Sequence, residues 1–344
     1  MSAINEALRA AVDGNDLSAS MMQQVMEEIM EGRATDAQIG AFLTALRMKG
    51  ESVEEIYGAA QVMRQKAQKI SPQLPPGEVL VDIVGTGGDQ SGTFNVSTTA
   101  AFVVAGAGLK VAKHGNRSVS SRSGSADVLE ELGVNLDVAP VIVERCIQEI
   151  GLGFLFAPKL HPAMKNVIGP RREMGIRTIF NLLGPLTNPA GAQIELMGVF
   201  HPDLCEKMAQ VLGELGLKGA WVVHGDGGMD EISISGPSLV AQWDGKKVEL
   251  FEITPEDFGL SRAAIQEIMG GDPRENARIT RVILEGEQGP KRDMVVMNAA
   301  AAIYVAGKAK NVKEASLIAQ DAIDSGRAKM VLDGLVKQTR AHVT

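Results

Sequence analysis

The chain opens with MSAINEALRAAVDGND, in which Ile4, Ala7, Leu8, Ala11 and Val12 recur at the spacing of one helical face. Ser18 precedes a second periodic run carrying Met21, Met22, Val25, Met26, Ile29 and Met30, and Gly32 ends it. Thr35 with Gln38, and Ser52 with Glu55, have capping-box spacing, in which each residue's side chain satisfies a backbone N–H of the other. The pattern predicts four short helices. The Pro-rich SPQLPPG at residues 71–77 breaks it, because proline lacks the N–H that a helix or a ladder needs. Behind it, EVLVDIV is a short β-branched run without polar alternation, the mark of a parallel strand buried on both faces. A domain boundary falls there.

From Val79 onward, strand-like apolar runs alternate with helical ones. Candidate strands are 80–84, 109–112, 154–156, 196–200 and 220–224, with helices at 97–106, 125–132, 141–149 and 204–215. Such alternation implies βαβ crossovers and a mainly parallel sheet. Segments 239–243 and 247–251, joined through Asp244 and Gly245, read as a hairpin, and beyond Ser261 the pattern is mostly helical. The expected class is α/β: a small N-terminal helical domain and a larger α/β domain with a mainly parallel central sheet.

Size agrees, since 344 residues exceed what one hydrophobic core usually organises. With 34 basic and 42 acidic residues the net charge is −8, which argues against a surface built mainly to hold nucleic acid. Any anionic ligand must be held by a local arrangement. Cys146 and Cys205 stand far apart with no C-x-x-C, which suits a reducing compartment and argues against structural zinc. The N-terminus has no basic segment followed by an apolar core, and the apolar stretches 100–109 and 294–306 fall short of the roughly 20 residues a membrane span needs. These features lead us to expect a soluble cytoplasmic protein.

Three loops carry the candidate chemistry. The first, GTGGDQSGTFNVSTTA at residues 85–100, follows a strand and runs through Gly85, Gly87 and Gly88 to Asn95, Ser97 and Thr98 at a helix start. Loop N–H groups and the positive end of a helix dipole then add at one point, which attracts anions. It is neither the Walker loop nor the dinucleotide fingerprint, because Gln90 stands where a third glycine would fall. Taken alone it also fits an ordinary capped connection. The second, KHGNRSVSSRSGSADVLEELG at 113–133, follows the strand LKVA, so it belongs at the same carboxyl edge. Lys113, Arg117 and Arg122 bring charge, and Ser118, Ser120, Ser121, Ser123 and Ser125 bring hydroxyls. Two such loops at one edge imply a substrate with more than one phosphate. The third, AWVVHGDGGMDEISISG at 220–236, places Asp226, Asp230 and Glu231 near that edge, where adjacent carboxylates suit Mg²⁺; on an exposed turn they would simply be solvated. His161 and Arg171 lie in FAPKLHPAMKNVIGPRREMGIRTIFNLLGPLTNP, whose helix is expected to break near Gly169 and Pro170. One of the two arginines there could pair with a substrate carboxylate.

GTGGD, NVST, KHGNRSVSSRSGSADVLE, HPAMKNV, GIRTIFNLLGPLTNP and the MDE ending at Glu231 occur in this order over nearly the whole chain. Together they closely resemble the anthranilate phosphoribosyltransferases. The resemblance implies the nucleoside phosphorylase-like fold, with residues 1–71 and a returning segment of about 163–189 as helical domain and 72–162 with 190–344 as α/β domain. It also implies a homodimer. The implied reaction transfers the phosphoribosyl group of phosphoribosyl pyrophosphate (PRPP) to the amine of anthranilate, with Mg²⁺, in tryptophan biosynthesis. By the same resemblance Gly85, Gly88 and Asp89 contact PRPP, Gly85 also lies near anthranilate, and Thr93, Asn95, Val96, Ser97 and Thr98 cradle phosphate. Lys113, His114, Gly115, Asn116, Arg117, Ser118, Val119, Ser120 and Ser121, with Ser125, complete the PRPP site. Ser97, Asp230 and Glu231 would hold Mg²⁺, while Asn116 and Arg171 would contact anthranilate.

No acid/base pair or activated nucleophile is visible, and none is required. Expelling pyrophosphate builds positive charge on the ribose and negative charge on the leaving group, so metal and aimed N–H donors matter more than a nucleophile. Two other readings are a nucleoside phosphorylase of related fold and a catalytically silent relative that binds nucleic acid. The net charge of −8 and the intact acidic pair speak against the second.

Overall fold

The computed structural model describes residues 2–89, 91–118 and 122–341; Val119, Ser120 and Ser121, assigned above to PRPP, lie outside these. Four helices come first: α1 Ala3–Val12, α2 Ala19–Met30, α3 Asp36–Lys49 and α4 Val53–Lys66. Each of the last three starts where its capping residue stands. Ser18 accepts from the Met21 N–H, and both capping boxes close reciprocally. Glu55 of the second box is fully buried, and there it is held by Lys49 at 3.0 Å and by the N–H groups of Leu17 and Ser52.

Seven strands follow: β1 Leu80–Gly85, β2 Lys110–Gly115, β3 Leu152–Phe156, β4 Ile194–Gly198, β5 Gly219–Gly225, β6 Ser238–Trp243 and β7 Val248–Ile253. They form one sheet in the order β3-β2-β1-β4-β5-β6-β7, parallel through β5 and antiparallel in the β6–β7 hairpin. The chain runs outward from β1 through β2 and β3 and then returns to the other flank of β1 with β4. In open α/β sheets, ligands settle at the carboxyl ends of the strands where the order reverses in this way.

Both faces of the sheet are covered. On one lie helix α5 Val96–Gly106 and the late helices Pro290–Val305 and Arg327–Arg340, packed on Val81, Ile83, Ile194 and Leu196. On the other, helix Leu204–Glu214 bridges β5 and β6 to α4, in a core continuous with the N-terminal helices and with Val167, Phe180 and Leu183 of the returning segment. Asp82 and Glu195 alternate with the first set and so face this second side.

The structure corrects several boundaries. Helix Lys165–Met174 does not break at Gly169–Pro170 but carries Pro170 inside it. The residue before a proline resists helix partly through a clash of its β-carbon with the proline ring, and Gly169 has no β-carbon. The helix expected at 141–149 is α-helical only to Arg145 and closes as a π turn over Cys146–Ile150 before Gly151. Strand β2 runs on through Lys113 and His114, whose polarity reads as a loop start, because both are buried and bonded in place. Strand β4 begins earlier than 196, the charged Glu195 masking its start, and Phe200 has left the ladder to donate to the Thr86 hydroxyl at 3.2 Å.

Candidate active site

Strands β1 and β4 end side by side, Gly85 opposite Gly198, and the Thr86 N–H donates to the Gly198 carbonyl at 2.9 Å. The turn after β5 folds back over both ends. A β-carbon on Gly85 would strike the Asp230 carboxylate, one on Gly198 the Asp230 carbonyl, and one on Gly225 the Glu231 carbonyl. These three glycines are therefore required for close approach, and none has a positive φ.

That approach brings the acidic pair onto the donors of the first loop. Asp230 Oδ2 accepts from the Gly87 N–H at 2.7 Å, and Glu231 Oε1 accepts from the Ser97 N–H at 3.0 Å, at the N-terminus of α5. Asp89 joins them, its Oδ2 accepting from the Asp230 N–H at 3.4 Å. The two carboxyls lie deep, with part of their surface still open to solvent. Burial, then repulsion from Asp89, pushes Asp230 up to about 7, with the Gly87 N–H opposing. Burial and Asp230 push Glu231 up to about 8, against Lys113 and Ser97. Crowded carboxylates whose ionisation burial and like charge oppose are an arrangement that a cation relieves.

Lys113 is the buried cation beside them, 3% exposed, with Nζ donating to the Ile83 carbonyl at 2.5 Å. Burial lowers its pKa, while Asp82, Glu231 and Asp230 hold it up. Asp82 accepts from the His114 N–H at 3.1 Å and from Asn188 Nδ2 at 2.7 Å, and burial lifts it to about 6 against Lys113 and those bonds. Its neighbour across the β1–β4 ladder is the buried Glu195, raised well above the usual carboxylate range by burial and then by Asp82. His114 Nδ1–H donates to the Gly184 carbonyl at 3.0 Å, and its ring lies 5.1 Å from that of His161.

The second loop is organised by Asp127. Burial works against its ionisation, but the N–H groups of Gly124 and Ser118 and the Arg117 guanidinium outweigh it and lower its pKa. Arg117 spans Asp127 at 3.0 Å and Glu130 at 2.5 Å, which raise its pKa. The Asn116 carbonyl accepts from Ser125 Oγ at 3.2 Å, and a β-carbon on Gly115 would strike that hydroxyl. Asn95 reaches across from the first loop, donating to the Ser123 carbonyl at 3.2 Å.

Thus Gly85, Gly88, Asp89, Ser97, Lys113, Asp230 and Glu231 converge, and the Asn116–Ser125 loop meets them through Asn95. Asp226 does not join; it is exposed and accepts from Ser235 Oγ at 2.8 Å. Arg171 sits over the Phe180 ring at 5.3 Å, burial lowers its pKa, and among the described residues no carboxylate pairs with it. The sequence reading missed two residues. Arg177, inside the quoted GIRT, donates to the Gly88 carbonyl and stacks on Phe200 at 4.2 Å. Asn276 bonds to Asn95 at 2.9 Å from a helix far along the chain, and only its position after the Gly270–Gly271 pair could have marked it.

The donor set fits Mg²⁺. Among the described residues no three carboxylate, imidazole or thiolate groups form a closed cage. What exists is an open edge of two adjacent carboxylates beside the Ser97 hydroxyl. Hard oxygen donors, few in number and partly open to water, are what Mg²⁺ uses.

Comparison with known proteins agrees with this geometry. Residues 5–67 match the helical bundle domain, and residues 77–329 the α/β domain, of a glycosyl transferase family. The chain is 54% identical over 347 residues to the anthranilate phosphoribosyltransferase of Trichlorobacter lovleyi, covering 98% of this chain and 99% of that one. The crystal structure of the Thermus thermophilus anthranilate phosphoribosyltransferase superposes with a TM-score of 0.91 at 44% identity, over 97% and 99% of the two chains. The Saccharomyces cerevisiae enzyme in complex with PRPP and Mg does so with a TM-score of 0.90 at 29% identity, over 98% of each.

Proposed function

We propose how this chain, which belongs to the anthranilate phosphoribosyltransferase family, carries out that family's reaction: transfer of the 5-phosphoribosyl group from PRPP to the amine of anthranilate, giving N-(5-phosphoribosyl)anthranilate and pyrophosphate. The anomeric C–O bond to pyrophosphate breaks, a C–N bond to the amine forms, and the amine's proton leaves to solvent. An aromatic amine is unprotonated at neutral pH, so the attack needs no strong base, in keeping with a site whose carboxylates serve other ends.

The observation that carries the reading is the meeting, at one sheet edge, of the first loop's N–H groups, the α5 N-terminus, Lys113 and the Asp230–Glu231 pair. Gly85, Gly88, Asp89, Thr93 and residues 95–98 take PRPP on one side, and residues 113–118 with Ser125 take it on the other. Asp230, Glu231 and the Ser97 hydroxyl would hold Mg²⁺, which when bound screens the charge of the departing pyrophosphate. Asn116 and Arg171 receive anthranilate, the guanidinium matching its carboxylate in a planar fork. Catalysis then rests on aligning two substrates and stabilising developing charge. Residues 1–71 with about 163–189 form one domain and 72–162 with 190–344 the other, the cleft between them closing over the substrates. The working form is a cytoplasmic homodimer. No described helix is long and apolar enough to cross a membrane.

Loss of anthranilate fluorescence on mixing with PRPP and Mg²⁺ tests the reading. Consumption that requires all three components, and that Arg171→Ala and the Asp230→Ala/Glu231→Ala pair abolish, is the expected result. Undiminished turnover in either variant would remove the role given to it.

A further inference from the structure

Asn276 stands in the first turn of helix Pro273–Leu284, 2% exposed, and uses both ends of its amide. Its Nδ2 donates to Asn95 Oδ1 at 2.9 Å, and its Oδ1 accepts from the Gly271 N–H at 2.8 Å. Asn95 Oδ1 also accepts from Ser123 Oγ at 3.1 Å, while Asn95 Nδ2 donates to the Ser123 carbonyl. Both lone pairs of the Asn95 oxygen are therefore used, and a flipped amide would set N–H against N–H. Around this joint the backbone is close: the Gly270 N–H donates to the Gly92 carbonyl at 2.9 Å, Thr93 pairs with Met269, and a β-carbon on Gly270 would lie 2.6 Å from Phe94 Cα. The segment 269–276 is thus fastened flush against the first loop, and through Asn95 to the second.

We infer that Asn276 is a positioning residue for phosphoribosyl transfer: by fixing the Asn95 amide it holds the loop after β1 and the loop after β2 at the spacing one PRPP molecule requires. The Asn95 side chain then serves as a joint between the loops. This rests on the reading that the two loops take PRPP. A residue that merely supported the fold would, when changed, lower activity in proportion to the folded fraction. A residue that spaces the two loops changes affinity for PRPP in molecules that remain folded.

The test compares Asn276→Asp, which puts an acceptor where the donor faces Asn95, with Ser123→Ala, a milder cut of the same joint. Steady-state kinetics on the folded fraction should show KM for PRPP raised about tenfold in Asn276→Asp and less in Ser123→Ala. KM for anthranilate, and kcat at saturating PRPP, should stay within about threefold. If Asn276→Asp does not fold, Ser123→Ala alone carries the comparison. Unchanged KM for PRPP in a folded variant, or a uniform loss in kcat that follows thermal stability, would overturn the assignment. Wild type whose melting temperature does not respond to PRPP with Mg²⁺ would instead overturn the reading of the loops, and the assignment with it.

Discussion

Asp230 accepts a hydrogen bond from the Gly87 N–H at 2.7 Å, so a donor of the loop after β1 is occupied by the protein's own carboxylate. The same holds for Glu231 and the Ser97 N–H at 3.0 Å. Loop and acidic turn thus neutralise one another, and the relationships of charge and space around them can be probed by substitution or pH.

Asp230→Asn keeps an acceptor for Gly87 and replaces like charge beside Asp89 with an N–H donor. Activity at a fixed Mg²⁺ concentration should fall on the order of 100-fold, while the melting temperature without ligands should rise by about 2 °C, because a crowded buried carboxylate is gone. Calorimetry beside an activity assay checks both, and a fall in both would contradict the account of Asp230 as a strained, functional group.

Gly198→Ala places a methyl group against the Asp230 carbonyl. The turn carrying Asp230 and Glu231 must lift, costing about 1–3 kcal/mol of stability and about 100-fold in turnover through misplacement. Urea denaturation and single-turnover kinetics measure the two. Wild-type values for this variant would mean the turn yields freely.

Arg177→Ala removes both the bond to the Gly88 carbonyl and the stack on Phe200. KM for PRPP should rise about tenfold with KM for anthranilate little changed. An effect confined to anthranilate would show that Gly88 does not need this support.

Stability should depend on His114 and His161 in acid. Burial depresses His114 to about 3, with His161 adding to the effect, and burial depresses His161 to about 4. Below the unfolded value near 6.5 the unfolded chain takes up protons that the folded one refuses, so this stabilisation is complete above about 6.5 and is lost as pH falls toward 4 and 3. Each histidine should weaken folding by about 2 kcal/mol between pH 7 and pH 5. The raised carboxyls of Asp82 and Glu231 act in the opposite direction. The difference in slope between wild type and His161→Gln therefore isolates one histidine, and equal slopes would refute the assignment.

Local chemistry was legible in the sequence wherever one residue sets one structure. Ser18, Thr35 and Ser52 began helices where their side chains allowed, and the β-branched run ending at Val84 became the central strand. The edge at which three loops meet followed from each loop's place directly after a strand of a mainly parallel sheet. Illegible were features set by tertiary neighbours. Lys113 and His114 look like loop residues until Asp82, Ile83 and Gly184 are there to receive them. Arg177 looks like surface charge until Phe200 lies beneath it. Asn276 is one amide in a polar helix start, and nothing within ten residues of it reveals Asn95.

The bonds that assemble the site also span long stretches of chain: 143 residues from Gly87 to Asp230, 134 from Ser97 to Glu231 and 181 from Asn95 to Asn276. A nascent chain made only as far as Ser125 already carries the loop after β1 and the loop after β2 but has neither the acidic turn nor the joint that spaces them. Contacts of such sequence separation form late, after the intervening loop has been closed. The full set of contacts at this edge therefore waits until the segment carrying Asn276 has been made.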